Sequence, residues 1–283
     1  MRSRRWLPYA LLIPGILWLA IFFITPMFNL GATSLYDPAG SLDTGYRMTF
    51  HVANYSDALS QYYPQFLRSF FYAGIATISA LVIAYPLAYA IAFKSGRWKN
   101  FLLVLVIAPF FTSFLVRTLA WTAILGDNSA FVHLLHAIHL LGANGRILAT
   151  PGAVILGLTY NFLPFMTLPL YASLEKVDPR LIEASSDLYA SAFTGFRKVT
   201  VPLSMPGVVA GTLLTFIPAS GDYINSTLLG QGARTSMIGN IIDSAFLVRL
   251  AYPLAAALSF MLMAIIVALV IFYVRRAGTE ELV

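Results

Sequence analysis

The chain has 283 residues, 59% of them hydrophobic and only 11% charged, with a formal net charge of +6 and no cysteine. A soluble domain needs about 25% charged residues to cover its surface, so this composition excludes a soluble globular protein and points to a chain solvated by lipid. The lack of cysteine excludes a disulfide framework, thiol catalysis and a cysteine metal site.

Taken in chain order, the apolar runs predict six membrane helices at about 9–29, 69–93, 101–125, 150–173, 205–228 and 253–274. Runs of about 20 residues suffice to cross a hydrocarbon core of about 30 Å, and lipid offers backbone amides of an open chain no partner outside a helix. At the N-terminus, Ser3-Arg4-Arg5 faintly resembles a twin-arginine signal. The apolar run nevertheless continues to about Met27 with no small-residue cleavage site after it, so an uncleaved first membrane helix is expected. The prolines Pro14, Pro86, Pro109, Pro164, Pro169 and Pro218 predict kinked helices packed around something.

The connections at about 30–68, 126–149 and 229–252 are long. The first, containing "SLYDPAGSLDTGYRMTFHVANYSDAL", reads as a small extracytoplasmic cap or interfacial segment. In "HLLHAIHLL", His133, His136 and His139 spread around a helix at three-residue steps, with Asp127 the one nearby carboxylate. A short amphipathic outer-face helix accounts for them better than a metal site.

Lys and Arg in the connections set orientation. Arg2, Arg4, Arg5, Lys94, Arg97, Lys99, Lys176, Arg180, Arg197, Lys198, Arg275 and Arg276 fall on one side, and Arg47, Arg68, Arg146, Arg234 and Arg249 on the other. Twelve against five places both termini in the cytoplasm. The net positive charge is therefore a topology signal, and no nucleic-acid partner is expected.

Two charges fall inside spans, Arg117 and Asp222. Intramembrane charges face a bundle interior or a water cavity. Counted along straight helices at about 1.5 Å per residue, both lie roughly 25 Å from the inner end. They could pair and only hold helices together, or Asp222 could face a translocation pathway. The stretch "PASGDYINSTLLG" around Asp222 interrupts the fifth span with polar residues, and a passing cationic amine would gain from a carboxylate and aromatic faces. Asp222, Tyr223 and Asn225, with Arg117 and with Tyr160, Asn161 and Phe165 of the fourth span, are the candidate pathway residues.

Between the fourth and fifth spans lies "DPRLIEASSDLYASAFTGFRKVTVPLSMPG". Asp178 suits a helix N-cap and Pro179 the first helical position. Leu181, Ile182, Ser185, Leu188 and Tyr189 then form one apolar stripe, with Glu183 and Asp187 on another face. Such a helix either rests on lipid headgroups or docks into a partner's groove.

This loop resembles the cytoplasmic-loop motif of the permease subunits of binding-protein-dependent ABC importers: Glu-Ala-Ala, three residues, Gly, nine residues, Ile-x-Leu-Pro. Glu183-Ala184-Ser185 matches its start, and Val199, Val201 and Pro202 match its end. The glycine position is Tyr189, so the turn glycine provides is expected to be absent or shifted toward Gly195. "PFFTSFLVRTLAW", "LPFMTLPLYASLEKVDPRLIEAS" and "PLSMPGVVAG" extend the likeness to the first permease subunit of the spermidine/putrescine type.

The resemblance implies an all-α integral membrane protein, a single domain with the six-helix fold of type I ABC importer permeases, in the bacterial inner membrane. It implies coupling through a loop at about 175–204, with Glu183, Ala184, Ser185, Asp187, Leu188, Tyr189, Arg197 and Pro202 gripped by an ATPase. The implied partners are two ATPase subunits carrying ATP and Mg, a paralogous sister permease, an extracytoplasmic solute-binding protein and the bilayer. The chain itself has no phosphate-binding Gly-x4-Gly-Lys-Ser/Thr loop, so it is expected to bind no cofactor and to be no enzyme. The rival is a six-helix channel or secondary transporter whose loop is only an interfacial helix, although the internal repeat that would point to a secondary transporter is missing.

Overall fold

A computed structural model describes residues 7–41, 43–142 and 144–277; the basic residues Arg2, Arg4 and Arg5 lie outside them. Among the described residues the chain is helical, with two isolated β-bridges and no strand. Four helices are long and apolar enough to cross a membrane, and two further bent pairs pass the same test if each counts as one span. Chain contacts divide the protein into two units, residues 1–63 with 241–264, and residues 64–240 with 265–283.

In the first unit, α1 (Leu7–Leu19) runs through a π-helical turn (Ala20–Ile24) into α2 (Thr25–Thr33). The first expected span is thus a helix, though it continues beyond residue 29. The connection after it is pinned by side-chain hydrogen bonds. Asn54 donates from Nδ2 to the carbonyls of Ser34 and Tyr36, both at 2.9 Å. Tyr55 and Ser34 share a 2.6 Å hydroxyl hydrogen bond. The Tyr46 hydroxyl donates to the Leu250 carbonyl, and Arg249 donates to the Tyr62 hydroxyl at 2.9 Å.

The helix α3 (Ala53–Tyr89), extended by a π turn (Ala90–Lys94), is 42 residues long, whereas the sequence predicts a span at 69–93. At about 1.5 Å per residue it is twice as long as a bilayer core is thick. Its first sixteen residues, "ANYSDALSQYYPQFLR", are too polar to register as a span, so hydropathy saw only the apolar part. In the second unit Ala73, Ala76, Ala80, Ala84 and Ala88 of this helix are fully buried at three- and four-residue spacing. Such a small-residue seam lets helices approach closely in lipid. It packs with Val154, Leu158, Phe162, Met166, Leu170 and Leu174 of α7 (Pro151–Leu174), which matches the fourth expected span to one residue at each end.

The third span is not one helix. After a 3-10 turn (Gly96–Trp98), α4 (Lys99–Ile107) ends in a second 3-10 turn (Ala108–Phe111), and α5 (Phe114–Leu125) begins after a break at Thr112 and Ser113, with α6 (Ala130–Ala137) following. The two arms bend by 94°. Proline at position 109 has no amide to donate, Thr112 is extended, and Ser113 is non-helical. His133 and His136 lie on α6, but His139 lies past its end with φ 58°, so the three histidines do not continue one helix.

After α7 come α8 (Pro179–Asp187), α9 (Ala192–Gly195), a π turn (Phe196–Thr200) and α10 (Val201–Leu203). Next, α11 (Met205–Ser220) packs along α7 and ends eight residues short of the predicted span. A non-helical step at Asp222 and Tyr223 leads to a further π turn (Ser226–Gly230). Both spans that carry an internal charge are therefore broken beside that charge, and depth counted along straight helices does not apply to Arg117 or Asp222. The described residues end in α12 (Ile238–Asp243), another π turn (Ser244–Val248) and α13 (Tyr252–Ala277), close to the sixth expected span.

Candidate functional site

The segment that interrupts the fifth span is organised by Asp222. Its side chain is buried, with 8% relative exposure. Oδ1 accepts the Asn225 backbone amide at 2.8 Å and Oδ2 accepts Asn225 Nδ2 at 3.2 Å. An acceptor three residues ahead of the amide it receives is an N-cap, so Asp222 restarts the helix that α11 abandons. Asn225 Oδ1 in turn accepts Asn161 Nδ2 of α7 at 3.0 Å, and the same amide group donates to Thr118 Oγ1 of α5 at 3.2 Å. A buried polar chain thus links α5, α7 and the broken span.

A second cluster continues from it. Asn240 accepts Ser226 Oγ and the Met237 amide on Oδ1, and donates from Nδ2 to Thr227 Oγ1 at 2.7 Å and to the Tyr223 carbonyl at 3.1 Å. Two glycines make the approach possible. A Cβ at Gly157 of α7 would meet Asn225 Oδ1 at 2.6 Å as well as Leu229, and one at Gly239 would meet the carbonyl oxygens of Gly221 and Asp222. Arg68 of α3 holds the next loop, donating from Nη1 to the carbonyls of Ala233 and Ser236 at 2.8 and 2.7 Å.

Of the expected pathway residues, Asp222, Asn225 and Asn161 are brought together in this buried chain. Tyr223 is exposed beside them. Tyr160 is half-buried with its ring 5.3 Å from Trp121, and Phe165 packs edge-on against Phe110 at 5.0 Å. The Arg117–Asp222 pair does not form. The ion pairs among the described residues are Lys99–Glu175 at 2.6 Å and Arg146–Asp127 at 2.7 Å, and both Asp222 oxygens face Asn225 instead. Thr118 and Asn240 are not among the residues singled out from the sequence. The signal was a lone Asn in the apolar run "MIGNII", since a buried amide needs partners.

The 178–203 loop is a helical hairpin. Asp178 Oδ1 accepts the Arg180 amide at 2.9 Å at the start of α8, and Ser191 caps α9 by accepting the Thr194 amide at 3.3 Å. The turn between them is present, contrary to the expectation from the missing glycine, and it sits at Tyr189, which takes φ 58°. Gly195, where the turn was expected to shift, is helical and buried against Ser185. Leu188 and Tyr189 lie past the end of α8 and do not continue its apolar stripe. The helix ends at Asp187, and these two side chains stand out at 81% and 99% exposure. Glu183, Ala184, Asp187, Arg197 and Pro202 are also exposed, and Ser185 is partly covered.

The base of the hairpin is tied to α3. The Phe196 ring lies 5.5 Å from Tyr85 and 5.9 Å from Tyr89, both edge-on, and Ser204 shares a 2.6 Å hydroxyl hydrogen bond with Tyr85. Beside it, Lys99 pairs with Glu175, just past α7. The ammonium holds the Glu175 carboxyl below its usual range, and the carboxylate raises Lys99.

Known proteins resemble this chain along most of its length. It is 39% identical over 274 residues to the spermidine/putrescine transport system permease protein PotB of Haemophilus influenzae, covering 96% of this chain and 90% of that one. The PotB of Escherichia coli K12 is 36% identical over 263 residues, covering 92% and 94%. Among solved structures, a bacterial alginate ABC transporter in complex with alginate pentasaccharide-bound periplasmic protein superimposes with a TM-score of 0.71 at 19% identity, over 99% of this chain and 96% of that chain. That likeness bears on fold alone. Residues 75–277, which hold the broken spans, the buried polar chain and the hairpin, match the binding-protein-dependent transport system inner membrane component family, and the chain belongs to it.

Proposed function

We propose that this chain is one of two permease subunits of an ATP-driven importer for a small cationic solute of the spermidine/putrescine class. It acts as a single transmembrane domain in a bacterial inner membrane, with both termini and the 175–204 loop in the cytoplasm. Two separate ATPase subunits bind ATP and Mg and do the hydrolysis, a paralogous sister permease completes the pathway, and an extracytoplasmic binding protein delivers the solute. The identity to PotB proteins supports the solute class.

The observation that carries the coupling reading is the hairpin. Its tip, Leu188 and Tyr189, is exposed and apolar between the charged Glu183, Asp187 and Arg197. An apolar anchor in a polar rim suits a groove on a partner. A pull on the tip reaches the membrane by two routes, through Phe196 and Ser204 to α3, and along the chain into α11, which ends at Asp222. Tyr223, with Tyr160 and Phe165 as further candidates, would offer ring faces to a passing ammonium, while Asp222, Asn225 and Asn161 keep the broken span in shape and Pro202 keeps the second arm rigid.

The test is reconstitution of the complex, co-expressed with its ATPase and sister permease, in liposomes with binding protein and radiolabelled spermidine. Uptake is expected to require ATP inside the cytoplasmic face. Glu183→Ala is expected to lower uptake at least tenfold without loss of the chain from the membrane. Uptake without nucleotide, or purification of the chain without an ATPase, overturns the reading.

A further inference from the structure

A groove of about 550 Å³ lies at the joint between the hairpin and α11. Val82, Tyr85 and Tyr89 of α3 form one wall, and Phe196, Met205 and Val208 form the other. The surface facing the groove is wholly apolar, and the Tyr85 hydroxyl is taken up by its hydrogen bond with Ser204. The Phe196 ring, edge-on to Tyr85 and Tyr89, ties the two walls together. Val82 is 66% exposed and Pro86 is exposed one turn on, so the groove is open along α3. Water finds no hydrogen-bond partner in such a place. An empty apolar groove forfeits dispersion contacts, so what fills it is apolar.

Depth and charge identify the occupant. Lys94 ends the π turn that extends α3. Counted at about 1.5 Å per residue, Tyr89 lies about 7 Å and Val82 about 18 Å from it. Half of a hydrocarbon core of about 30 Å is about 15 Å, so on the topology proposed above the groove spans the acyl region of the cytoplasmic leaflet. The segments that form its walls, residues 81–98 and 191–208, carry Lys94, Arg97, Arg197 and Lys198 and no carboxylate. Basic residues at the cytoplasmic edge of a membrane attract anionic lipid. The same charges and the apolar walls exclude a polyamine. The ATPase proposed to grip Leu188 and Tyr189 meets the tip of the hairpin, whereas the groove is at its base. We infer that the groove holds one acyl chain of an anionic phospholipid, with its phosphate beside Lys94. The lodged chain touches both arms of a joint that bends by 64° between Leu203 and Met205.

The experiment uses the full complex in phosphatidylcholine nanodiscs. These carry a trace of either phosphatidylglycerol or phosphatidylcholine with a diazirine midway along one acyl chain, and photoproducts are mapped by peptide mass spectrometry. The phosphatidylglycerol probe is expected to label residues 81–89 and 201–208 at least fivefold more than the phosphatidylcholine probe at equal mole fraction. Lys94→Gln is expected to remove that preference. Val82→Trp, whose ring fills the groove, is expected to remove the labelling at 201–208. Lys94→Gln changes an exposed side chain and keeps the inference testable if Val82→Trp fails to assemble. Four outcomes overturn the inference: equal labelling by the two probes, which makes the groove ordinary lipid contact; a preference unchanged by Lys94→Gln; no label on either segment; and a crosslink from benzoylphenylalanine at Val82 that runs to the sister permease, which makes the groove a protein contact. Labelling needs no nucleotide, and ATP-dependent spermidine uptake by the wild-type complex is measured in parallel, so a failure of the importer reading is seen separately.

Discussion

At the scale of single residues, Asp222 shows how a role changes once its partners are known. Read from sequence it is a carboxylate at membrane depth, suited to meeting an amine. In the fold it is an N-cap whose oxygens are both engaged by Asn225. The two roles respond differently to substitution. Asn and Asp cap helices about equally well, whereas Ala loses about 0.5–2 kcal/mol. A capping role therefore predicts that Asp222→Asn keeps the cap on the Asn225 amide but sets its own NH2 against Asn225 Nδ2, losing part of the thermal stability and part of the spermidine uptake, while Asp222→Ala loses more of both together. Measured in the reconstituted complex, a stable Asp222→Asn variant that transports nothing would show that the negative charge itself meets the solute.

At the scale of elements, legibility followed hydrophobic continuity. The span α7 was read to within a residue because it is apolar, uninterrupted in period and flanked by polar turns. The polar start of α3 was missed because hydropathy detects contact with lipid and not helicity. The break in the third span was missed because its string stays largely apolar there and only the proline at 109 marks it, whereas the interruption of the fifth span is legible in the polar run that starts at Ser220. The buried chain through Thr118, Asn161 and Asn225 joins residues far apart in sequence, so Asn161 and Asn225 were visible singly while Thr118 and the connection were not.

The hairpin turn is the sharper case. The missing glycine argued against a left-handed residue at position 189, yet Tyr189 adopts one. A non-glycine residue there costs about 1–2 kcal/mol, and its side chain, fully exposed, gains nothing inside this chain. On the coupling proposed above, its compensation would come from the ATPase groove, where a buried Tyr is a common anchor. Tyr189→Gly should then relieve the strain and still weaken the grip. The expected result is unchanged expression with about tenfold weaker binding of the ATPase subunit, read by titration in nanodiscs. Equal or tighter ATPase binding by the glycine variant would place Tyr189 outside the contact.

At the scale of the whole molecule, the number of crossings decides the orientation of everything else, and it turns on the two bent pairs, whose arms meet at 94° and 64°. If each pair crosses once there are six spans, and the basic residues divide twelve to five as the charge rule requires. If the first pair were re-entrant, returning to its starting side, the 126–149 connection would share a side with Lys99, and the hairpin with its Arg180, Arg197 and Lys198 would move to the opposite one. Arg and Lys near membrane ends would then be split almost evenly, against the bias that sets topology. The absence of cysteine makes the question direct to settle, since any introduced thiol is the only one in the chain. In spheroplasts treated with a membrane-impermeant maleimide, Asp43→Cys, Asn144→Cys and Ala233→Cys are expected to label without permeabilisation, and Asn100→Cys only after it. Protection of Asn144→Cys would make the first bent pair re-entrant, and protection of Ala233→Cys with Asn144→Cys still labelled would make the second so. Either result would leave the hairpin or the C-terminus on the side away from any cytoplasmic ATPase.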